Sequence, residues 1–319
     1  MTNTMESVTT DRATPLADAQ ATPASSATAG RLTALVALSR PRQWVKNVLV
    51  LAAPVAAGRI AEAETLTRAL FAVLAFTLMA SGVYWINDAM DVGRDRLHPT
   101  KRRRPIAAGV VPVQVALIGG FALQVLALTV AVLGVNVGLA GVLGGYALLQ
   151  LAYSVRLKRV PVAELLIVAS GFVVRALAGG VATGLVLTEW FLIVTSFGAL
   201  FVVAGKRYAE SLAMGDLAGE HRAVLDSYPP AFLQQVVGVC LAVTLLAYCL
   251  WAFRTSTVIT APNLWVALSV VPVTLIALRY LLLVAAGRTG EPEELLLRDR
   301  VIAVAAVITA AMVLFGLYG

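Results

Sequence analysis

The chain has 319 residues, of which 59% are hydrophobic and 13% charged, and its mean hydropathy is +0.84. This composition excludes a soluble domain and describes an all-α, polytopic membrane protein. The net charge of +7 suits a face turned to anionic lipid or phosphorylated small molecules rather than nucleic acid, and with His98 and His221 as the only histidines a His-built zinc site or Ser-His-Asp triad has little support.

In chain order, residues 1–30 are rich in Ala, Thr and Ser, with no basic stretch leading into an apolar one. They read as a disordered tail, which leaves 31–319 as one transmembrane domain. Apolar segments of bilayer-crossing length follow at 42–58, 66–87, 111–133, 135–153, 161–183, 188–205, 232–252, 262–286 and 300–318, predicting nine spans. Arg42, Lys46 and Pro54 interrupt the first, and glycines crowd the start of the fourth. Cys240 and Cys249 share one predicted span, too far apart to bond within a helix.

Lys and Arg sort by loop. Arg94, Arg96, Lys101, Arg102, Arg103 and Arg104 follow the second span, and Arg156, Lys158 and Arg159 the fourth. Lys206, Arg207 and Arg222 follow the sixth, and Arg288 and Arg298 the eighth, whereas the loops after the third and fifth hold neither residue. By the excess of positive charge in short cytoplasmic loops, the N-terminus is cytoplasmic and the C-terminus outside.

The most informative segment closes the second span: Asn87-Asp88-Ala89-Met90-Asp91-Val92-Gly93-Arg94-Asp95. On a helix, Asn87, Asp91, Asp95 and Asp88 fall at roughly 0°, 40°, 80° and 100°, so all four share a face. Three carboxylates and an amide on one face repel one another unless a cation is present. The adjoining His98-Pro99-Thr100-Lys101-Arg102-Arg103-Arg104 run supplies anion-binding groups. Acids beside bases suit a magnesium-bound diphosphate, with Asn87, Asp88, Asp91 and Asp95 as metal ligands and Lys101, Arg102 and Arg104 holding phosphate oxygens. The bland reading is a helix that ends in a solvated polar loop.

Further polar clusters fall on the same predicted side. Tyr153 and Lys158 lie in a basic loop before Glu164, and Arg175 interrupts an apolar run on the same helix, where a charge is costly. Arg175 reads either as half of an ion pair with another helix or as the lining of a charged cavity. Lys206 and Arg207 are adjacent, about 100° apart on a helix, so one of them faces that cavity. Arg42 and Lys46, beside Trp44, form a basic pair that is either an interfacial anchor or a phosphate contact.

The Asn-Asp-x-x-Asp-x-x-x-Asp signature, the Tyr153-Ser-x-x-Leu-Lys158 loop and the nine predicted helices together resemble the UbiA superfamily of intramembrane prenyltransferases, over residues from about 38 to 319. More narrowly, Arg40-Pro-Arg-Gln-Trp-Val-Lys-Asn47, His98-Pro-Thr-Lys-Arg102, Arg104-Pro-Ile-Ala-Ala-Gly109 and Gly205-Lys-Arg-Tyr-Ala-Glu210 resemble its phosphoribosyl-transferring branch in actinobacteria. The resemblance implies a helical bundle with a central cavity open to the cytoplasmic side of the plasma membrane. It also implies Mg2+ as cofactor, and transfer of 5-phosphoribosyl from phosphoribosyl diphosphate (PRPP) to a polyprenyl phosphate for cell-wall arabinan. Asp88, Asp91 and Asp95 would be catalytic, and Arg42, Lys46, Lys101, Arg102, Arg104, Tyr153, Lys158, Glu164, Arg175, Lys206 and Arg207 would bind substrate. The superfamily's prenyl-diphosphate users carry a second Asp-x-x-x-Asp motif where this chain has Glu164-Leu-Leu-Ile-Val168, a departure that favours the narrower branch.

The expected reaction is substitution at the ribose anomeric carbon, with a lipid phosphate as nucleophile and no need of a general base. Two other readings stay open. One is prenyl transfer to an aromatic or quinone precursor; the other is a transporter, disfavoured because the strong polar motifs gather on one side. A homo-oligomer, with a trimer as the guess, is compatible with so apolar a chain, and no segment identifies an interface.

Overall fold

The computed structural model describes residues 32–214, 225–258, 264–288 and 298–318. The tail expected at 1–30, with His221 and Arg222, lies outside the described residues. A short helix α1 at 32–38 leads into a 3-10 helix, Pro41–Leu51, and helix α2, Ala52–Ala56. The remaining helices are α3 (Ala63–Met90), α4 (Val92–Leu97), α5 (Val113–Gly134), α6 (Val137–Val155), α7 (Ala163–Thr183), α8 (Glu189–Met214), α9 (Pro230–Val258), α10 (Leu264–Leu268), α11 (Val270–Ala285) and α12 (Arg300–Tyr318). No strand occurs among the described residues.

Eight helical spans among the described residues are long and apolar enough to cross a bilayer. They match the second to ninth expected segments, with α10 and α11 forming one span, Leu264–Ala285. The first expected segment, 42–58, takes a different form. Arg40 enters it at φ 50°, Pro41 fixes the first turn, and the chain winds as a 3-10 helix before the α2 turn. A 3-10 helix rises about 2.0 Å per residue, so this segment and α2 together reach roughly 30 Å, the thickness of the hydrocarbon core.

Helices α3 and α7 are the axis of the bundle. Over their apolar windows they are 56% and 50% buried, against 17–28% for the other spans, whose outer faces are left for lipid. The main core joins Val50 to Ala72, Phe76 and Met79 of α3, Leu139, Leu143 and Tyr146 of α6, and Ala178 and Ala182 of α7. Small residues permit this closeness: a Cβ on Gly179 would fall on the Val50 carbonyl, and one on Gly82 of α3 would meet the Gly120 carbonyl of α5. Alternating helix directions bring the C-terminal ends of α3, α6 and α8 and the N-terminal end of α7 to one end of the bundle. The most buried helices therefore carry the carboxylates and Arg175.

Candidate functional site

The ladder spans a helix junction. Helix α3 ends at Met90 and α4 starts at Val92, with Asp91 between them at φ −90°, ψ 1°. The i to i−4 pattern continues through the break, because the Asp91 amide donates to the Asn87 carbonyl at 2.9 Å and the Asp95 amide to the Asp91 carbonyl at 2.9 Å. The four side chains keep their helical order yet divide into two pairs. Asp88 and Asp95, each 4% exposed, turn to Arg104, whose Nη1 donates to Asp88 Oδ1 at 3.0 Å and Asp95 Oδ2 at 2.8 Å. Asn87 and Asp91 turn toward the end of α6: Ser154 Oγ donates to Asn87 Oδ1 at 2.8 Å, and Lys158 Nζ to Asp91 Oδ1 at 3.3 Å.

Arg104 is positioned by the turn before it. His98 Nδ1 lies 3.3 Å from the Thr100 amide and 3.4 Å from that of Lys101, and the Arg104 amide caps the 3-10 turn Lys101–Arg103 by donating to the Lys101 carbonyl. The histidine thus shapes the loop that aims the guanidinium. A second arginine, Arg40, reaches across the sequence to donate from Nη2 to Asp88 Oδ1 at 2.5 Å, with its Cζ 4.8 Å from the centre of the Tyr84 ring. Arg94, one turn beyond Asp91, pairs with that carboxylate. Sequence reasoning named neither Arg40 nor Ser154 as a site residue. A basic residue directly before Pro41 was the available signal, and only the left-handed φ at Arg40 swings it onto α3.

The second acidic position behaves differently from the ladder. Glu164, 0% exposed, is gripped by Arg207 of α8 through Nε at 2.9 Å and Nη2 at 3.2 Å. Arg207 Nη1 also donates to Glu210 Oε2 at 2.9 Å. Just ahead of Glu164, Val162 has φ 65° and donates its amide to Tyr228 Oη at 2.6 Å. A β-branched residue in that region is strained. Among the described residues, the non-glycine residues with positive φ are Arg40 and Val162, and both flank the charged clusters.

Arg175 has no carboxylate partner among the described residues, so of its two readings the interhelical ion pair does not form there. Its Nε donates to Asn47 Oδ1 at 2.9 Å, its Nη1 to the Gly171 carbonyl at 2.5 Å and its Nη2 to Tyr146 Oη at 3.4 Å. The guanidinium also lies 4.8 Å from the Phe76 ring centre and 5.3 Å from that of Tyr146. Two aromatic faces and three acceptors offset its desolvation. Asn47, itself 1% exposed, donates to Thr77 Oγ1 at 2.9 Å and ties the 3-10 helix to α3.

The other expected binding residues distribute around this end. Lys46 is half-buried with Nζ 5.9 Å from the Phe172 ring centre, and Tyr153 and Lys206 are half-buried. Arg42, Lys101 and Arg102 are exposed. The structure brings together Asp88, Asp95 and Arg104, Asp91 with Lys158, and Glu164 with Arg207, while Asn87 meets Ser154. Among the described residues it does not carry Arg42 or Arg102 onto a carboxylate.

Among the described residues no three His, Cys, Asp or Glu side chains converge tightly enough to enclose a metal ion. The donors at the ladder are hard oxygens already balanced by cations. That suits Mg2+, which is commonly held by one or two carboxylates plus substrate phosphates rather than by an all-protein cage. Chemically, this end can exchange guanidinium–carboxylate contacts for guanidinium–phosphate and metal–phosphate contacts.

The sequence profile described as the UbiA prenyltransferase family matches residues 48–298. A protein of Corynebacterium glutamicum named decaprenyl-phosphate phosphoribosyltransferase is 44% identical over 282 residues, covering 88% of this chain and 85% of its own length. A Mycobacterium tuberculosis protein of the same name is 45% identical over 278 residues, covering 86% of this chain and 91% of its own. In fold, the chain is similar to a UbiA homolog from Archaeoglobus fulgidus bound to DMAPP and Mg2+, with a TM-score of 0.67 at 19% identity over 88% of this chain and 97% of that one.

Proposed function

This chain belongs to the UbiA prenyltransferase family, and from that membership we propose that it transfers 5-phosphoribosyl from PRPP to a polyprenyl phosphate, decaprenyl phosphate first among them, releasing diphosphate. Relatives at 44–45% identity over most of both chains carry that activity in their names. The observation that carries the reading over prenyl transfer to an aromatic acceptor is Glu164. Buried and doubly bonded to Arg207, it is committed to an ion pair and leaves the chain with one carboxylate ladder rather than two. The second set of carboxylates with which the superfamily's prenyl-diphosphate users clamp their donor is thus missing here.

The bond from the anomeric carbon to the diphosphate oxygen breaks as a bond to a lipid phosphate oxygen forms. That nucleophile is largely dianionic at neutral pH, its second pKa being about 6, so no side chain need remove a proton. Asp88, Asp91, Asp95 and Asn87 would hold Mg2+, which when bound would supply charge neutralisation to the departing diphosphate. Arg104, Arg40 and Lys158, now on the carboxylates, supply charge-assisted hydrogen bonds to its oxygens. Lys46, Lys206 and Tyr153 are assigned to the ribose 5-phosphate and the lipid phosphate. Arg175, its fork shared among Asn47, Gly171 and Tyr146, holds the framework. The site opens to the cytoplasmic leaflet of the plasma membrane, the segment at 42–58 is the ninth crossing, and the C-terminus lies outside.

Ligand-induced stabilisation of the detergent-solubilised protein separates the two donors. With Mg2+ present, PRPP is expected to raise the melting temperature well beyond inorganic diphosphate, and geranyl diphosphate to match inorganic diphosphate. The reverse order would assign the site to a prenyl donor.

A further inference from the structure

The chain enters α7 through a turn that L-residues rarely adopt. Val162 stands at φ 65°, ψ −48°, and the Ala163 amide closes back on the Pro161 carbonyl at 2.7 Å. That is the rarer and strained form of γ-turn, here with a β-branched residue at its centre. Such a conformation persists only where neighbouring contacts over-determine it, and it clusters at active sites. On the helix side, the Leu166 amide holds the Val162 carbonyl at 3.0 Å. The other anchor is not local.

The plane of the Val162 amide fixes the torsion that follows it, and that amide donates to Tyr228 Oη at 2.6 Å. Tyr228 belongs to the connection between α8 and α9, and it is itself well held. Its buried ring shares a core with Leu165 and Ala169 of α7 and stacks on Phe232, with centroids 5.9 Å apart and planes 1° from parallel. Its amide donates to the Leu225 carbonyl at 3.1 Å. A phenol of one connection therefore holds the backbone of another.

The backbone so held carries charged groups of the site on both sides of the turn. Ahead of Val162, Lys158 Nζ donates to Asp91 Oδ1 of the ladder at 3.3 Å. Behind it, Glu164 is locked to Arg207. The Val160 amide closes on the Leu157 carbonyl and the Glu164 amide on the Val160 carbonyl, each at 3.1 Å. Relaxation of Val162 to a negative φ would swing the basic turn relative to α7 and draw the Lys158 ammonium away from Asp91, which rides on α3. We propose that Tyr228 is a positioning residue for the diphosphate end of the site, holding the turn at Val162 and, through it, Lys158 against the carboxylate ladder. This rests on the assignment of Lys158 to a diphosphate oxygen. A tyrosine that only pinned the start of α9 to α7 would affect stability without acting through Lys158.

Isothermal titration calorimetry of the full-length protein in detergent, with inorganic diphosphate in the presence of Mg2+, tests this. Diphosphate leaves from a phosphoribosyl and a prenyl donor alike, so an error in the donor shows separately, in the comparison of PRPP with geranyl diphosphate. Tyr228→Phe keeps the ring and its stack on Phe232 but removes the oxygen. It is expected to weaken diphosphate binding by about fivefold and to raise KM for PRPP by a similar factor, with KM for decaprenyl phosphate unchanged. In a Lys158→Ala background the same substitution should weaken diphosphate no further, because its effect passes through that ammonium. Val162→Gly, which adopts the turn without strain, should return part of the affinity lost in Tyr228→Phe. Melting profiles confirm that each variant is folded. Wild-type diphosphate affinity in folded Tyr228→Phe, or a fivefold loss that persists in the Lys158→Ala background, overturns the proposal.

Discussion

Arg104 is the residue on which the candidate site turns, because one nitrogen bridges two acids that are 5% and 6% exposed at their side chains. Lysine keeps the charge but not the planar fork. Arg104→Lys is therefore expected to leave a folded protein whose kcat/KM falls about 10- to 100-fold, on the order of 1.4–2.8 kcal/mol of transition-state stabilisation, measured by steady-state transfer in nanodiscs. Glu164→Gln separates a structural acid from a metal ligand. Removing one partner of a buried pair costs about 3–5 kcal/mol, so its melting temperature should drop while the Mg2+ concentration for half-maximal activity stays at the wild-type value. A large shift in that Mg2+ dependence would return Glu164 to the metal. The ladder was legible in the sequence because helical spacing alone aligns Asn87, Asp88, Asp91 and Asp95. Its division into two pairs was not, since that depends on where Arg104 and Lys158 arrive in space. Arg175 was legible as exceptional, yet its partners, Asn47 and Tyr146, are neutral residues that no charge-pair search would select.

At the scale of elements, hydropathy located every long helix, because a span buried in lipid or protein needs an unbroken apolar run. The segment at 42–58 was read as a span with Arg42, Lys46 and Pro54 interrupting it, and it winds as a 3-10 helix joined to the α2 turn rather than as one α-helix. The reasons are local: Pro41 at its first position, the turn at Arg40, and polar Asn47 tied to both Thr77 and Arg175. Gly179 is the complementary feature on α7, where absence of a Cβ lets the Val50 carbonyl approach. Gly179→Ala is expected to push this segment off α7 and to cost about 1–3 kcal/mol as overpacking, seen as a lowered melting temperature. Because Asn47 moves with the segment, activity should fall further than stability alone requires. A variant with wild-type stability and activity would mean that the contact is not a constraint.

For the whole molecule, charge asymmetry joins fold to function. Basic loops, carboxylates and the Glu164–Arg207 pair collect at one end, while the other end carries a tryptophan-lined cavity. Cysteine accessibility tests the orientation: with Cys240 and Cys249 replaced, Arg103→Cys should react with an impermeant maleimide only in inverted vesicles. Val186→Cys, at a position 93% exposed at the opposite end, should react only in intact cells. Reaction of both from one side would contradict the assignment. The overall bundle was readable from composition and loop charge, whereas donor choice rested on motif resemblance, because diphosphate chemistry looks alike at one carboxylate ladder whichever group leaves it. Donor choice is also the central claim, and one assay addresses it most directly. Purified protein in nanodiscs is incubated with Mg2+, PRPP labelled in the ribose and decaprenyl phosphate, and label is followed into organic-extractable lipid. Label entering lipid only when both metal and acceptor are present, with diphosphate released in equal amount, is the predicted result; folded protein that leaves the label in water yet prenylates an aromatic acceptor would contradict the account.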